Sequence, residues 1–147
     1  MRNILYMLLA TLSYGCYQSK CDSIIKIEDI VLYNANQAGI SYCKLVNEAL
    51  VGDSKAIKEL FCQHPSYLDG ESSYLHSFYV YKITQELGEV KIISVMKSFN
   101  SKELMYYYSN LEFGMQQESL DQTVKDAFPK LYDSLWNGEN PINSQNK

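Results

Sequence analysis

The spacing of apolar residues is the feature of this chain that most restricts its fold. Over much of the sequence these residues recur at intervals of three and four, which places them on one side of an α-helix. The longest such stripe contains Val31, Ala35, Ala38, Tyr42, Leu45 and Ala49. No segment combines the alternation of a β-strand with the turn signals of a hairpin. The sequence therefore predicts an all-α protein.

Glycine and capping residues set the boundaries of the first helices. The first is predicted over about 26–51, with a break around Asn34–Asn36 or at Gly39. A turn at Gly52-Asp53 follows, because glycine suits the end of one helix and aspartate the start of the next. The second helix is predicted over about 54–62.

A serine cap and a glycine divide the middle of the chain. A helix that begins at Ser72 or Ser73 is predicted to reach Leu87 and to stop at Gly88. A short helix over about 90–99 follows, and its β-branched residues leave a strand as the alternative.

The last part of the chain carries a capping box and a proline. Asn100-Ser101-Lys102-Glu103 predicts a helix start, and that helix is predicted to close at Gly114. Pro129 is predicted to kink a final helical region over about 119–136 or to begin a second piece of it.

The predicted assembly is a single helical domain over 24–136, a compact array of about five or six helices in αα-hairpins. An irregular bundle and a short helical-repeat-like stack both fit this pattern. Val51-Gly52-Asp53 and Leu87-Gly88-Glu89 are similar and lie 36 residues apart, which favours repeats. Any amphipathic helix hairpin shows the same features, so the bundle is the preferred interpretation.

The first fifteen residues are typical of a secretory signal peptide. Met1-Arg2-Asn3 is a basic start, and an apolar run from Ile4 to Leu12 follows it. That run is much shorter than the roughly 20 apolar residues of a membrane-spanning helix. We expect residues 1–15 to be a signal peptide, 16–23 a tether and 137–147 a flexible tail.

A cysteine comes directly after this segment. The stretch from Leu12 to Cys16 resembles a bacterial lipobox, with Ser13 where leucine is usual and Tyr14 where a small residue is usual. The resemblance implies that the Cys16 thiol carries a diacylglycerol, that its freed amine is acylated, and that lipid anchors the protein to a membrane. Ser13 and Gly15 also suit ordinary signal cleavage, which leaves a soluble secreted protein and an uncleaved anchor as alternatives.

Three cysteines remain, and an exported chain can form disulfides. Cys43 and Cys62 lie at similar distances from the Gly52-Asp53 turn, so an antiparallel helix pair brings them level if both face inward. Cys62 shares a helical side with nearby lysines, which opposes that placement. A Cys43–Cys62 disulfide and two small buried thiols are both open, and Cys21 is the third cysteine.

The charge balance argues against a nucleic-acid-binding surface. Arg2 is the one charged residue of the signal segment, and its removal lowers the Lys and Arg count from 13 to 12 against 17 Asp and Glu, a net charge of −5. An acidic chain of this kind does not suit nucleic acid or a polybasic membrane patch.

Motifs for catalysis or for metal binding are missing from the sequence. It contains no nucleophile elbow, phosphate loop, HExxH, CxxC or calcium loop. Cys62-Gln63-His64 brings a thiol close to an imidazole, which leaves a thiol- or metal-dependent activity as a remote alternative. His76 is expected on the surface near a helix start. We predict a protein that is not an enzyme and uses neither a metal nor another cofactor.

Tyrosine is unusually frequent, with 13 residues in a chain of 147. Tyr106, Tyr107 and Tyr108 are consecutive, so on a helix their side chains fan over about 200° and cannot all face one core. Tyr74 and Tyr81 belong to a similar group on the earlier helix that is predicted to end at Leu87. Tyrosine suits protein interfaces because it offers a large contact area with a polar tip, and we predict that these five residues bind a partner. The alternative is that they line the edge of the core.

These features predict a non-catalytic lipoprotein of the cell envelope, facing the periplasm, whose helical domain binds another protein. The specific form is immunity-like neutralisation of a toxic effector. Small, acidic, exported helical domains are similar to the all-helical immunity proteins paired with cell-wall amidase effectors, in architecture and location but in no shared motif. The alternative is a structural or assembly lipoprotein of the bacterial envelope.

Overall fold

A computed structural model describes residues 21–63, 65–118 and 121–143, and these residues form an all-α array. Within these ranges it contains no β-strand, which confirms the predicted fold class. The helices are α1 (Asp29–Gln37), α2 (Tyr42–Leu50), α3 (Ser54–Phe61), α4 (Gly70–Met96), α5 (Ser101–Gln116), α6 (Val124–Ala127) and α7 (Pro129–Trp136). None of them is long and apolar enough to cross a membrane.

The predicted first helix is two helices, separated at one of the two predicted breaks. Gly39 adopts a φ of +74°, and the Ile40 amide donates to the Ala35 carbonyl over 2.9 Å. This pattern ends α1, because a glycine in the left-handed region lets the following amide reach back to the last turn. The chain then starts α2 at Tyr42.

The turn between α2 and α3 confirms the predicted capping chemistry. Gly52 has a φ of +83°, and the Asp53 carboxylate accepts a 2.8 Å hydrogen bond from the Ala56 amide. This bond satisfies an amide that the first turn of α3 would otherwise leave without a partner.

Gly88 interrupts α4 without separating it into two distant helices. Its φ of 72° and ψ of 157° are not helical, and the helix resumes on the far side and reaches Met96. The resulting kink directs the Glu89 carboxylate to the amide of Leu131, over 2.7 Å, in the first turn of α7. A carboxylate is favoured there by the positive end of the helix dipole. The prediction of a break at Gly88 is confirmed, and the strand alternative for 90–99 is wrong.

The helix starts in the last third of the chain follow their local signals. Asn100 and Glu103 form the predicted capping box at the start of α5, with both hydrogen bonds at 3.0 Å. Pro129 occupies the first turn of α7, where its missing amide hydrogen costs nothing. The predicted end of α5 at Gly114 is wrong, since the helix continues to Gln116.

The cysteine pairing differs from the predicted one. Cys43 forms a disulfide with Cys21, with Cα atoms 5.5 Å apart, and Cys62 is a free, buried thiol. Cys62 does not share a helical side with the lysines of α3, because it follows the helix with a φ of −113° and a ψ of 9°, outside helical geometry. The disulfide and a 2.9 Å hydrogen bond from Asn47 to the Asp22 carbonyl fasten the start of the described chain to α2.

The expected terminal segments lie mainly outside the described residues. The signal peptide at 1–15 and Cys16 fall outside them entirely. Of the tether at 16–23, residues 21–23 are described. Of the tail at 137–147, residues 137–143 are described, and they form turns beyond α7.

The core is continuous and rich in aromatic residues. It gathers the buried faces of all seven helices, with α4 in contact with α1, α2, α3, α5 and α7. Its largest fully buried side chains include those of Tyr42, Phe61, Tyr79, Ile83, Tyr107 and Leu111.

Candidate functional site

A groove between α4 and α5 is one of the concave surfaces of the described chain. It encloses a cavity of about 340 Å³. Its lining combines three aromatic rings with hydroxyl and amide groups: Gln63, Ser73, Tyr74, Ser77, Tyr106, Ser109, Asn110 and Phe113. No lining side chain that the structure describes is charged.

Close packing of α4 on α5 adjoins the groove at Ser77. A Cβ atom built on Gly114 would lie 2.3 Å from the Ser77 carbonyl oxygen and 2.7 Å from the Tyr81 Cβ. Real Cβ atoms do not approach a backbone oxygen so closely, so the two helices can meet here only at a glycine. Gly114 therefore serves the packing of α5 rather than its end, which is why the helix passes through it.

The floor of the groove is a fixed amide. The Ser77 hydroxyl donates to Asn110 Oδ1 over 3.0 Å, and Asn110 Nδ2 donates to the Phe61 carbonyl over 3.1 Å. These two bonds define which side of the Asn110 amide carries the oxygen. An amide has two donor hydrogens and an acceptor with two lone pairs, so Asn110 retains one donor and one acceptor position for a ligand.

Aromatic rings form the rim. Tyr74 is 60% exposed and Phe113 is 49% exposed, whereas Tyr106 is half-buried. The Gln117 side chain donates to the Tyr74 carbonyl, which ties the end of α5 to the start of α4 beside this rim. The rings thus stand on two helices that are bonded to each other.

The structure separates the five tyrosines predicted to bind a partner. Tyr74 and Tyr106 lie together in the groove, which supports the predicted adjacency of the two tyrosine-bearing helices. Tyr81, Tyr107 and Tyr108 are at most 4% exposed, so they offer no surface to a partner. The prediction for these three residues is wrong, and they belong to the core.

Tyr107 is buried because three elements close around it. Its ring stacks on Phe61 with centroids 5.2 Å apart and contacts Trp136 at 5.8 Å. Its hydroxyl lies 3.0 Å from Thr84 Oγ1 inside the core. Burial raises the pKa of the Tyr107 phenol far above its usual range, so it stays a neutral hydrogen-bonding group.

Tyr81 and Tyr108 are held in a similar way by the C-terminal helices. Tyr108 packs edge-on against Trp136, with centroids 5.1 Å apart, and Tyr81 packs edge-on against Phe128 at 6.1 Å. Burial, followed by the nearby Glu112 carboxylate, raises the pKa of Tyr108 to about 12. Burial is also the main cause of the raised pKa of Tyr81.

The remote alternative of a thiol- or metal-dependent activity involves Cys62 and His64. The pKa of the Cys62 thiol is raised to about 12, mainly by burial and further by the nearby Glu103 carboxylate. A thiol with this pKa is protonated at neutral pH, whereas a nucleophile must be a thiolate. His64 lies outside the described residues, and among those that are described no three metal-ligating side chains form a cluster.

His76 is buried, contrary to the expected surface position. Its Nδ1 atom lies 2.7 Å from the Tyr42 hydroxyl, and the two rings meet edge-on at 5.9 Å. The Tyr42 ring is also near Tyr79, so His76 forms part of a polar contact inside an aromatic cluster. This arrangement is structural.

Three groove residues that were not predicted share one face of α5 with Tyr106. Ser109, Asn110 and Phe113 follow Tyr106 by three, four and seven positions, which is the helical repeat of a single face. The helical repeat on this second face of α5 is the signal in the sequence that indicates these three residues.

Comparison with known proteins gives no relative: no protein-family model, no curated protein and no solved structure matches this chain.

Proposed function

We propose that this chain is a non-catalytic lipoprotein, exported and lipid-anchored through Cys16, whose helical domain binds another protein through the α4–α5 groove. The observation that carries the binding proposal is the exposure of Tyr74 and Phe113 beside a cavity with a fixed amide floor. The Cys21–Cys43 disulfide supports export, because disulfides persist in oxidising compartments.

The groove has the composition of an interface centre. Exposed aromatic rings are enriched among the residues that contribute most to binding, since they bury a large area at a small entropic cost. Tyr74 and Phe113 are presented by two packed helices, so little ordering is needed when a partner binds. The amide of Asn110 offers one donor and one acceptor, which matches the hydrogen-bonding groups of a peptide unit.

Charge supports the choice of partner. The chain without its signal segment carries a net charge of −5, while the described lining of the groove is uncharged. An acidic protein attracts a basic partner from a distance, and a neutral groove then accepts an uncharged segment of it. The specific form of the proposal is immunity-like: the domain neutralises a toxic effector in the periplasm.

The test uses effectors and cell-wall hydrolases encoded beside the gene for this chain. Each is produced in cells with and without the full-length protein, and survival is measured. For a neutralised effector, affinity is then measured for Tyr74→Ala and Phe113→Ala. We expect each to weaken binding by at least about 30-fold, the equivalent of about 2 kcal/mol.

Tyr33→Ala is the matched control, because Tyr33 is 61% exposed against 60% for Tyr74 and also lies on a helix. It should bind as the wild type does. If Tyr33→Ala and Tyr74→Ala lose equal affinity, the groove is not the binding site. Stable binding to envelope-assembly proteins without protection from any effector would favour the structural or assembly role instead.

A further inference from the structure

A second set of exposed apolar side chains lies at the start of the described chain, in α1 and in the segment that precedes it. Ile24, Ile30 and Tyr33 are 77%, 41% and 61% exposed. Ile30 and Tyr33 are three positions apart and share one face of α1, whereas Val31 and Ala35 on the other face are fully buried. We call Ile24, Ile30 and Tyr33 the α1 patch.

The disulfide places this patch close to the proposed lipid anchor. Cys21 is bonded to Cys43 on α2, and Asp22 is hydrogen-bonded to Asn47 on the same helix. Cys16 precedes Cys21 by only five positions. A fully extended segment of that length spans at most about 18 Å.

This reach is short compared with the domain. A folded chain of this size has a radius of gyration of about 14 Å and is therefore about 36 Å across. A lipid on Cys16 therefore keeps Cys21 within about half a domain diameter of the bilayer. This limit favours orientations in which the end of the domain that carries Cys21 faces the membrane, and the α1 patch begins three residues later, at Ile24.

We propose that the α1 patch rests on the surface of the bilayer that carries the lipid anchor, an inference that depends on the proposed acylation of Cys16. Tyrosine and isoleucine suit this position, because an aromatic ring with a polar tip favours the headgroup region and the aliphatic side chains favour the acyl boundary.

Local charge identifies the type of lipid surface. The segment from Asp22 to Tyr33 holds three acidic residues and one lysine, and that lysine, Lys26, is paired with Glu28 at 2.9 Å. An acidic segment is not attracted to anionic lipid. The contact is therefore apolar, made with zwitterionic headgroups, and insensitive to salt.

The test measures the distance of two probes from the lipid. Full-length acylated protein carrying Tyr33→Cys or Lys130→Cys is labelled with a thiol-reactive fluorophore and reconstituted in phosphatidylcholine vesicles that contain a headgroup nitroxide quencher. Lys130 is the control because it is exposed on α7, which packs against α4 and α6, whereas α1 packs against α2 and α4. Labelled wild type is the blank, since Cys62 is buried.

We expect quenching at position 33 to exceed that at position 130 by several-fold, equally at low and high salt. Ile24→Ser with Ile30→Ser should reduce quenching at position 33 while the helical circular dichroism is unchanged. Equal quenching at the two positions overturns the inference. A different result also overturns it: position 33 is not quenched by the lipid nitroxide, but another protein or a second copy of this chain shields it from a quencher in the aqueous phase.

Mass spectrometry of Cys16 separates the two proposals. If Cys16 carries no acyl chain, both the anchor and the membrane-facing patch are overturned. If Cys16 is acylated and position 33 is not quenched, the anchor stands and only the α1 patch fails. Quenching that disappears at high salt also overturns the apolar contact.

Discussion

Removal of the Cys21–Cys43 disulfide tests how the N-terminal part of the domain is held. The disulfide joins residues separated by 22 positions, so its chain-entropy contribution to the free energy of unfolding is about 3.4 kcal/mol at 25 °C. Both cysteines are half-buried, so serine fits at each position without burying an unpaired hydroxyl deeply. We expect Cys21→Ser with Cys43→Ser to lose about 3 kcal/mol of stability.

The assay is guanidinium unfolding of the full-length protein, followed by helical circular dichroism without reductant. Wild type in reductant should reproduce the double variant, because both lack the same cross-link. Cys62→Ala is the control: it removes one buried thiol and should leave the reductant-dependent shift unchanged. A double variant within about 1 kcal/mol of wild type would refute the reasoning, as would a wild type that reductant does not affect.

Three further predictions follow from single contacts. Gly114→Ala places a Cβ 2.3 Å from the Ser77 carbonyl oxygen and should cost about 1–3 kcal/mol of unfolding free energy by forcing α4 and α5 apart. The hydrogen bond from Lys58 lowers the pKa of Glu103, so this carboxylate stabilises the fold above its unfolded pKa, and the contribution is lost as the pH falls through the folded pKa. Glu103→Gln should therefore reduce the fall in unfolding free energy at acid pH, measured by urea unfolding. Burial raises the pKa of Cys62 to about 12, so iodoacetamide should alkylate it only in denaturant.

Several helix boundaries could be predicted because their causes are local. The Asn100–Glu103 capping box, the aspartate cap of α3 and Pro129 at the start of α7 each act within one turn of the chain. Gly88 also interrupts the helix where predicted, since its positive φ is a property of the residue itself. Such features need no knowledge of the rest of the fold.

Features that depend on tertiary contacts could not be predicted in the same way. Gly114 has the sequence appearance of a helix end, yet its role is to let α5 approach Ser77 on α4. The choice of Cys21 over Cys62 as the partner of Cys43 depends on how the chain enters α1 and returns along α2. Neither distance is fixed by residues near each other in the sequence.

The consecutive tyrosines show why residue type alone did not define the site. The helical fan was predicted correctly, because Tyr106, Tyr107 and Tyr108 do point in different directions. What the sequence does not contain is the position of α7, which brings Trp136 against two of the three rings. Tyr106 faces the groove on the side of α4 instead. Tyr107→Ala would therefore unfold the domain whether or not it binds a partner, and only rim positions such as Tyr74 can test the binding proposal.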